Sequence, residues 1–230
     1  VILELPQLEK FHSSDMTATC LRSVQHRLLG DYEPSIGTAM LKGLLFGASM
    51  ERVHNEHRWE VDLCPEAVAL GLKDTKAKMV EEGRMLSDGA IKNLDESVAL
   101  TIQACGYYVE RFGDKFKRCS LIGTEVPIRY TMEHPMLDEP VNFASHLDLL
   151  FRDPNNVWGY GTDRLHCWDW KWHTTTPTIG VLLKNLQMGL YYVAIKHGAI
   201  LRDEQHDIWQ RQEEYPLMSW VSVNDLFPYK

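Results

Sequence analysis

The feature that most constrains the fold is a pair of apolar runs around a turn-rich middle in residues 145–172 (SHLDLLFRDPNNVWGYGTDRLHCWDWKW). Alternating apolar positions predict two strands, over residues 142–152 and 164–172. The Asp, Pro, Asn and Gly residues between the runs are typical of turns, so we expect the two strands to be antiparallel neighbours.

This hairpin would bring two carboxylates together inside apolar runs. If Arg152 faces Leu165, the same register places Asp148 opposite Asp169, with their Cβ atoms about 5 Å apart. Because strand side chains alternate between faces, Lys171 shares the face of Asp169. The other face would carry an aromatic wall of Trp168, Trp170 and Trp172.

The remaining sequence changes from helical to strand-like patterning. Apolar periodicity and capping residues predict helices over residues 13–30, 36–54, 65–84, 87–111 and 180–197. We expect Ser87 to cap the fourth of these and Gly113 to lie just beyond its end. Further strands are predicted over 120–131, interrupted by Pro127, and within 215–230, with a loop over 135–140.

These elements predict an α/β fold with a central mixed β-sheet flanked by helices and an N-terminal helical region. With 230 residues and 44% hydrophobic content, the chain can bury the core of one large domain. We expect a single domain over residues 1–230, mainly helical over 1–112 and sheet-bearing over 113–230.

Composition limits the class of partner and the compartment. The net charge of −8 means that binding to nucleic acid would need a local basic patch or bound cations. No run of eighteen apolar residues and no signal-peptide pattern is present, so we expect a cytoplasmic protein without a membrane partner. The five cysteines include no C-x-x-C pair, which favours reduced thiols over disulfides or a zinc knuckle.

The paired aspartates point to a metal site. Two carboxylates at that distance repel each other and raise a pKa, and a hard cation such as Mg²⁺ or Mn²⁺ removes the repulsion. A neighbouring lysine can then orient a water or stabilise charge on a phosphoryl transition state. The pattern therefore favours phosphodiester hydrolysis, and the alternative is a surface hairpin with solvated charges.

Several motifs occur in an order that resembles the PD-(D/E)XK nuclease superfamily, and within it the RecB/RecE-like exonucleases. Asp148 matches the D of that motif and Asp169-Trp170-Lys171 the D-x-K. Glu125 in TEVPI resembles the glutamate of the family's first core strand. Further likenesses, covering roughly residues 13 to 195, are Gln187-Met-Gly-Leu-Tyr191, IGTAM at 36–40 and the N-terminal SSDMTATCLRS.

The resemblance implies a restriction-endonuclease-like core and a Mg²⁺- or Mn²⁺-dependent DNA exonuclease of recombination or repair, acting in the cytoplasm, or in the host cytoplasm if it is phage-encoded. Asp148, Asp169 and the Trp170 carbonyl would hold the metal. Lys171 would position the attacking water, and Glu125 would support metal or water.

Substrate contacts are expected from the flanking helices. Gln187 and Tyr191 lie at i, i+4 spacing on one helix face, where they would position the scissile strand. Arg22 and Lys184, on predicted helices, are further candidates for gripping phosphates. The implied partners are DNA ends, double- or single-stranded, and a recombination or single-strand annealing protein; the oligomeric state stays open.

The sequence also departs from the family pattern. Leu41 stands where the motif helix usually has a metal-binding histidine, and we expect His54, His57 and His166 to be surface histidines. Some relatives hold an iron–sulfur cluster, but no cysteine follows Cys167, so none is expected here. Three alternatives remain: a non-catalytic DNA- or protein-binding member of the fold, a sequence-specific endonuclease, and a metal-free scaffold protein.

Overall fold

The computed structural model describes residues 35–133, 140–172, 186–197, 199–203, 206–210 and 216–227. The helix predicted over 13–30, most of the loop predicted over 135–140 and the first six residues of the helix predicted over 180–197 lie outside these ranges.

Helices occupy the described chain before the sheet. They are α1 (Thr38–Asn55), a 3₁₀ turn (Val61–Leu63), α2 (Cys64–Glu81), α3 (Asp88–Lys92) and α4 (Leu94–Phe116). The predicted helices over 36–54 and 65–84 are thus confirmed to within three residues at each end. Ser87 caps α3 as expected, because its Oγ accepts a hydrogen bond from the Ala90 N–H at 3.2 Å.

The helix predicted over 87–111 is divided and longer than expected. It breaks at Asn93, between α3 and α4. The expectation that Gly113 lies beyond its end is wrong, since α4 continues to Phe116. A Cβ on Gly113 would lie 3.6 Å from Trp59 Cβ, so the residue serves close packing against Trp59 rather than termination.

Within the described ranges, six strands form one mixed sheet. They are β1 (Ser120–Met132), β2 (Val141–Asp153), β3 (Arg164–Lys171), β4 (Ala199–Asp203), β5 (His206–Gln210) and β6 (Leu217–Ser222). Their order is β5-β4-β1-β2-β3-β6. Only the β3–β6 pair is parallel. A helix α5 (Leu186–His197) precedes β4, and a 3₁₀ turn (Val223–Leu226) follows β6.

The first strand is irregular, but not at its proline. Pro127 pairs with His146 inside a continuous β1–β2 ladder, so the predicted interruption there is wrong. The register shifts instead between Leu121 and Gly123, and Glu125 has a positive φ of 47°. A β-bulge of this kind re-aims neighbouring side chains.

Helices cover both faces of the sheet. On one face, α1 and α4 pack Phe46, Tyr108 and Phe116 against Trp168 and Trp170. On the other face, α5 packs against a second apolar cluster, which includes Val126, Ile128, Leu147, Leu165 and Tyr191. The architecture is therefore mixed α/β with a central mixed sheet, and the helical and sheet-bearing parts share a core.

None of the helices in the described ranges combines the length and the apolar character needed to cross a bilayer.

Candidate active site

Three carboxylates lie side by side across β1, β2 and β3. The pairs Thr124↔Leu149 and Val126↔Leu147 flank Glu125 and Asp148, so these two residues fall opposite each other.

On the other side of β2, the predicted pair Arg152↔Leu165 is confirmed. The ladder runs to Leu149↔Trp168, and the next position sets Asp148 beside Asp169. We call Glu125, Asp148 and Asp169 the carboxylate row.

Asp148 is tied to the neighbouring strand by its side chain. Its Oδ2 accepts a hydrogen bond from the Trp170 N–H at 2.7 Å. Burial raises the pKa of Asp148 well above its usual range, and the Asp169 charge raises it further against the opposing effect of Lys171. A nearby cation would stabilise the ionised form of this carboxylate and so offset the upward shift of its pKa.

Asp169 and Lys171 form an ion pair in the interior. The Lys171 Nζ lies 2.9 Å from both carboxylate oxygens of Asp169, which is fully buried. Burial lowers the pKa of Lys171, but attraction to Asp169 and Asp148 outweighs it, so the net shift is upward. The lysine is therefore a charged ammonium beside the carboxylate row.

Glu125 completes the row from a strained backbone position. Its φ of 47° lies in the left-handed region, which costs a non-glycine residue about 1–3 kcal/mol. Burial raises the pKa of Glu125, whereas Lys78 lowers it. Strain of this kind persists only where the surrounding structure holds the backbone in place. Here it brings the Glu125 side chain close enough to Asp169 and Lys171 for their charges to affect its pKa.

Two members of the carboxylate row, Glu125 and Asp148, face a cavity of about 560 Å³ between α1, α2 and the strands. Glu125, Asp148 and Lys171 lie in its wall together with Trp170 and Trp172. A volume of this size is typical of sites that enclose a small molecule or a short segment of a polymer.

Sequence reasoning missed three acidic residues that line this cavity: Glu51, Asp74 and Glu82. Glu51 on α1 lines it, and burial followed by the charge of Asp74 raises the pKa of Glu51. Glu51 also raises the pKa of Glu125, so the two carboxylates sense each other. The available signal was its spacing: Gly43, Gly47 and Glu51 recur every four residues and share one helix face.

Gln187 and Tyr191 lie together on α5 as predicted, but away from the cavity. The Gln187 Nε2 donates to the Tyr191 hydroxyl at 2.6 Å, and the Ser145 hydroxyl lies 3.4 Å from the same oxygen. Burial, and then the Asp169 charge, raise the pKa of Tyr191 to about 12. Tyr191 is therefore a neutral phenol, close enough to Asp169 for its pKa to respond to that charge. The other two predicted substrate contacts, Arg22 and Lys184, lie outside the described residues.

The position of Leu41 removes it from the site altogether. The side chain is 1% exposed and packs with Ile36, Leu45, Met79 and Ala90. Ile36 and Met79 line the cavity, but Leu41 lies behind them and does not. Position 41 is not part of the cavity wall, so a leucine there removes no potential metal ligand from it. The same helix provides the carboxylate of Glu51 to the wall instead.

Two of the three histidines predicted to lie on the surface do not. His54 is buried within α1 and lies 3.0 Å from the Tyr108 hydroxyl among aromatic rings. His166 is buried and stacks on Phe151 with ring centroids 4.8 Å apart. Only His57 is exposed as expected. None of the three lines the cavity.

The donor set fits a hard cation better than zinc. Among the described residues, no group of three His, Cys, Asp or Glu side chains is arranged to hold a metal ion by itself. Mg²⁺ is commonly held by one or two carboxylates, with waters and substrate phosphates completing its shell. Asp148, half-buried in the cavity wall, and the buried Asp169, whose charge raises the pKa of Asp148, match that smaller requirement.

In comparisons with known proteins, no family model matches the chain, and no curated protein is significantly similar to it.

Proposed function

We propose that this protein is a Mg²⁺- or Mn²⁺-dependent deoxyribonuclease of the PD-(D/E)XK type, an exonuclease acting on DNA ends. The observation that carries the proposal is the carboxylate row beside a cavity, with Glu125, Asp148 and Lys171 in the cavity wall and Asp169 buried behind them. Asp169 is fully buried and Asp148 is half-buried beside it. Like charges in such surroundings destabilise a fold unless something compensates them, so the pair points to chemistry rather than to packing.

The metal ligands would be Asp148, Asp169 and the Trp170 carbonyl. A bound Mg²⁺ or Mn²⁺ supplies a Lewis acid and a more acidic water. The hydrogen bond from the Trp170 N–H fixes Asp148, and the ion pair with Lys171 fixes Asp169, so both carboxylates are already oriented.

Lys171 and the glutamates have separate roles. As an ammonium, Lys171 donates hydrogen bonds to the attacking water or to a phosphate oxygen. Glu125, with its pKa raised by burial, accepts a proton or holds a water beside the row. Glu51 adds a carboxylate from α1, and Tyr191 lies near enough to Asp169 for its pKa to be raised by that charge.

The acidic character of the chain is compatible with this substrate. A cation at the carboxylate row supplies positive charge at the point where a phosphate must approach. We further propose action in recombination or repair in the cytoplasm, or in the host cytoplasm for a phage protein, beside a recombination or single-strand annealing protein.

A second candidate function is a non-catalytic binding member of the same fold. The observation that favours it is the ion pair, because Lys171 Nζ occupies both oxygens of Asp169. In this alternative Lys171 replaces the cation instead of assisting it.

The test uses end-labelled linear duplex, single-stranded and closed circular DNA with Mg²⁺, Mn²⁺ or EDTA. We expect metal-dependent loss of the linear substrates alone, abolished by Lys171→Ala and retained by Lys76→Ala, which changes an exposed lysine of α2 outside the cavity. Cutting of the circle would indicate an endonuclease. No cleavage with either metal would contradict the nuclease proposal and favour the binding alternative.

A further inference from the structure

A surface at the far end of the sheet from the cavity is built by the loop between β2 and β3. This hairpin loop, residues 154–163, lies beside the C-terminal end of α4. The pair Asp153↔Arg164 at its base is five residues along the strands from the carboxylate row, or about 17 Å. None of the loop residues lines the cavity. A molecule bound at the hairpin loop would therefore leave the cavity open.

The hairpin loop is held in place by its own hydrogen bonds. The buried carboxylate of Asp153 accepts the N–H groups of Val157 and Trp158, each at 2.9 Å. Further along, the Asn156 Oδ1 accepts the Gly161 N–H at 2.8 Å. A loop fixed in this way loses little conformational entropy when a partner binds, which favours its use as a docking surface.

Tyr160 projects from the outer edge of this loop. It is 65% exposed and lies between Gly159 and Gly161, whose φ angles are 80° and 109°. Glycine adopts these backbone conformations readily and other residues do not. The neighbouring Trp158 is anchored in the core instead, with its ring centroid 4.8 Å from that of Trp168. The loop therefore presents the Tyr160 ring from a fixed base.

Exposed cations lie beside the loop, although the whole chain carries a net charge of −8. The Lys115 Nζ is 4.4 Å from the centroid of a Trp158 ring. Arg118 is tied to the loop through its backbone, because its carbonyl accepts a hydrogen bond from the Asn155 Nδ2 at 2.7 Å. Among the described residues, the side chains of Lys115 and Arg118 have no carboxylate partner.

The acidic side chains beside the loop are already paired. Asp114 lies 3.1 Å from Lys117, and Asp163 lies 3.6 Å from Arg152. Since the Asp153 carboxylate is occupied inside the loop, little negative charge competes for the two unpaired cations. The surface is therefore complementary to an anionic group.

We propose that the surface formed by Lys115, Arg118, Trp158 and Tyr160 binds a partner protein through an acidic segment that also carries an apolar side chain. Carboxylates of the segment meet Lys115 and Arg118, and its apolar side chain packs on the Tyr160 ring. A rigid aromatic ring beside an arginine is typical of protein–protein hot spots. A DNA backbone fits less well, because its binding draws on several cations at once and this surface has two unpaired ones. The inference does not depend on the carboxylate row.

The test selects a phage-displayed library of random dodecapeptides against the full chain in EDTA. Phage that bind the double variant Arg118→Glu, Tyr160→Ala are removed first, so that only ligands of this surface remain. We expect the selected peptides to be rich in Asp and Glu next to aromatic or aliphatic residues. A fluorescein-labelled synthetic copy of the most enriched peptide is then titrated, and fluorescence anisotropy gives its Kd.

Tyr160→Ala and Arg118→Glu should each weaken peptide binding about tenfold or more, and added salt should weaken it further. Two matched controls lie away from the loop: Ile91→Ala, at a residue 58% exposed on α3, and Lys76→Glu, at an exposed lysine of α2. Both should bind the peptide as the wild type does. Thermal unfolding should show that all four variants fold.

Selection of peptides without acidic residues, or peptide binding that neither variant weakens, would overturn the inference. A labelled blunt duplex is titrated in parallel. If the two variants weaken duplex binding but no acidic peptide is selected, the occupant is nucleic acid and the inference fails.

DNA cleavage separates this inference from the proposed function. Tyr160→Ala and Arg118→Glu should cleave as the wild type does, and a wild type that cleaves nothing would still bind the peptide. Loss of cleavage together with peptide binding in these variants would show that the loop belongs to the substrate site, which would overturn the inference.

Discussion

The two faces of β3 contrast within four consecutive residues. Trp168 and Trp170 enter a cluster of aromatic rings, where Trp168 lies 5.2 Å from Phe116 and 4.8 Å from Trp158 between ring centroids. Asp169 and Lys171 hold opposite charges in the interior. The aromatic face stabilises the fold by burying apolar surface. The charged face costs desolvation free energy, which we expect to be offset by a role in catalysis rather than by a gain in stability. Stability and activity should therefore respond to different residues of the same strand.

Asp148→Asn should separate activity from stability most clearly. Asparagine keeps an oxygen for the Trp170 N–H but removes a buried charge that is repelled by Asp169. We expect metal-dependent DNA cleavage to fall about a thousandfold. The free energy of unfolding should stay constant or rise, as urea denaturation would measure. The control Asp114→Asn, at a side chain 97% exposed, should change neither. A large loss of stability would contradict the separation of roles.

Trp168→Ala should show the opposite pattern. Removal of this buried ring from the aromatic cluster is expected to lower the free energy of unfolding by about 3–5 kcal/mol. The specific activity of the folded fraction should change little, because the ring lies away from the carboxylate row. Urea denaturation and cleavage assays on the same preparation check both statements, and an activity loss as large as that of Asp148→Asn would contradict the contrast.

The titration of His54 tests whether the aromatic cluster on this face of the sheet excludes water. Burial, and then the charge of His57, lower the pKa of His54 to about 3 from its usual 6.5. Between these values, falling pH protonates the unfolded chain but not the folded one, so stability is lost as the pH falls. The unfolding free energy should fall by up to about 1.4 kcal/mol per pH unit more steeply in wild type than in His54→Gln. Parallel slopes would mean that water reaches the imidazole.

Glu51→Gln gives the smallest expected effect. If this residue supports the carboxylate row across the cavity, cleavage should fall about tenfold with the affinity for Mn²⁺ little changed. The control Glu96→Gln lies on the exposed side of α4. Activity equal to that of the wild type would remove Glu51 from the site.

The hairpin was predictable from sequence because strand alternation and turn residues acted together. Apolar neighbours of Asp148 and Asp169 fixed which face each carboxylate takes, and the register followed from one pair, Arg152↔Leu165. The aromatic wall followed from the same alternation.

Other elements were missed for identifiable reasons. The strands β4 and β5 span five residues each, with charged residues among the apolar ones, so no clear period marks them. Pro127 predicts an interruption of the strand, but the described β1–β4 pairs are Ile128↔Ile200 and Arg129↔Ala199, so its missing N–H falls beyond the end of that ladder.

Tertiary packing decided the remaining cases. His54 and Glu51 are on the same helix, three residues apart, yet one lies among aromatic rings and the other in the cavity wall. Their environments depend on how α1 packs between α2, α4 and the sheet, which a single-sequence pattern does not contain.

The most direct test of the carboxylate row is a calorimetric titration of Mn²⁺ into the wild type, Asp148→Asn and Lys171→Ala. The account predicts a site in the wild type that Asp148→Asn abolishes. Lys171→Ala should bind Mn²⁺ at least as tightly as the wild type, because removal of the ammonium frees both oxygens of Asp169, while DNA cleavage is lost. Absence of Mn²⁺ binding by the wild type, or unchanged binding by Asp148→Asn, would contradict the assignment of the row as a metal site.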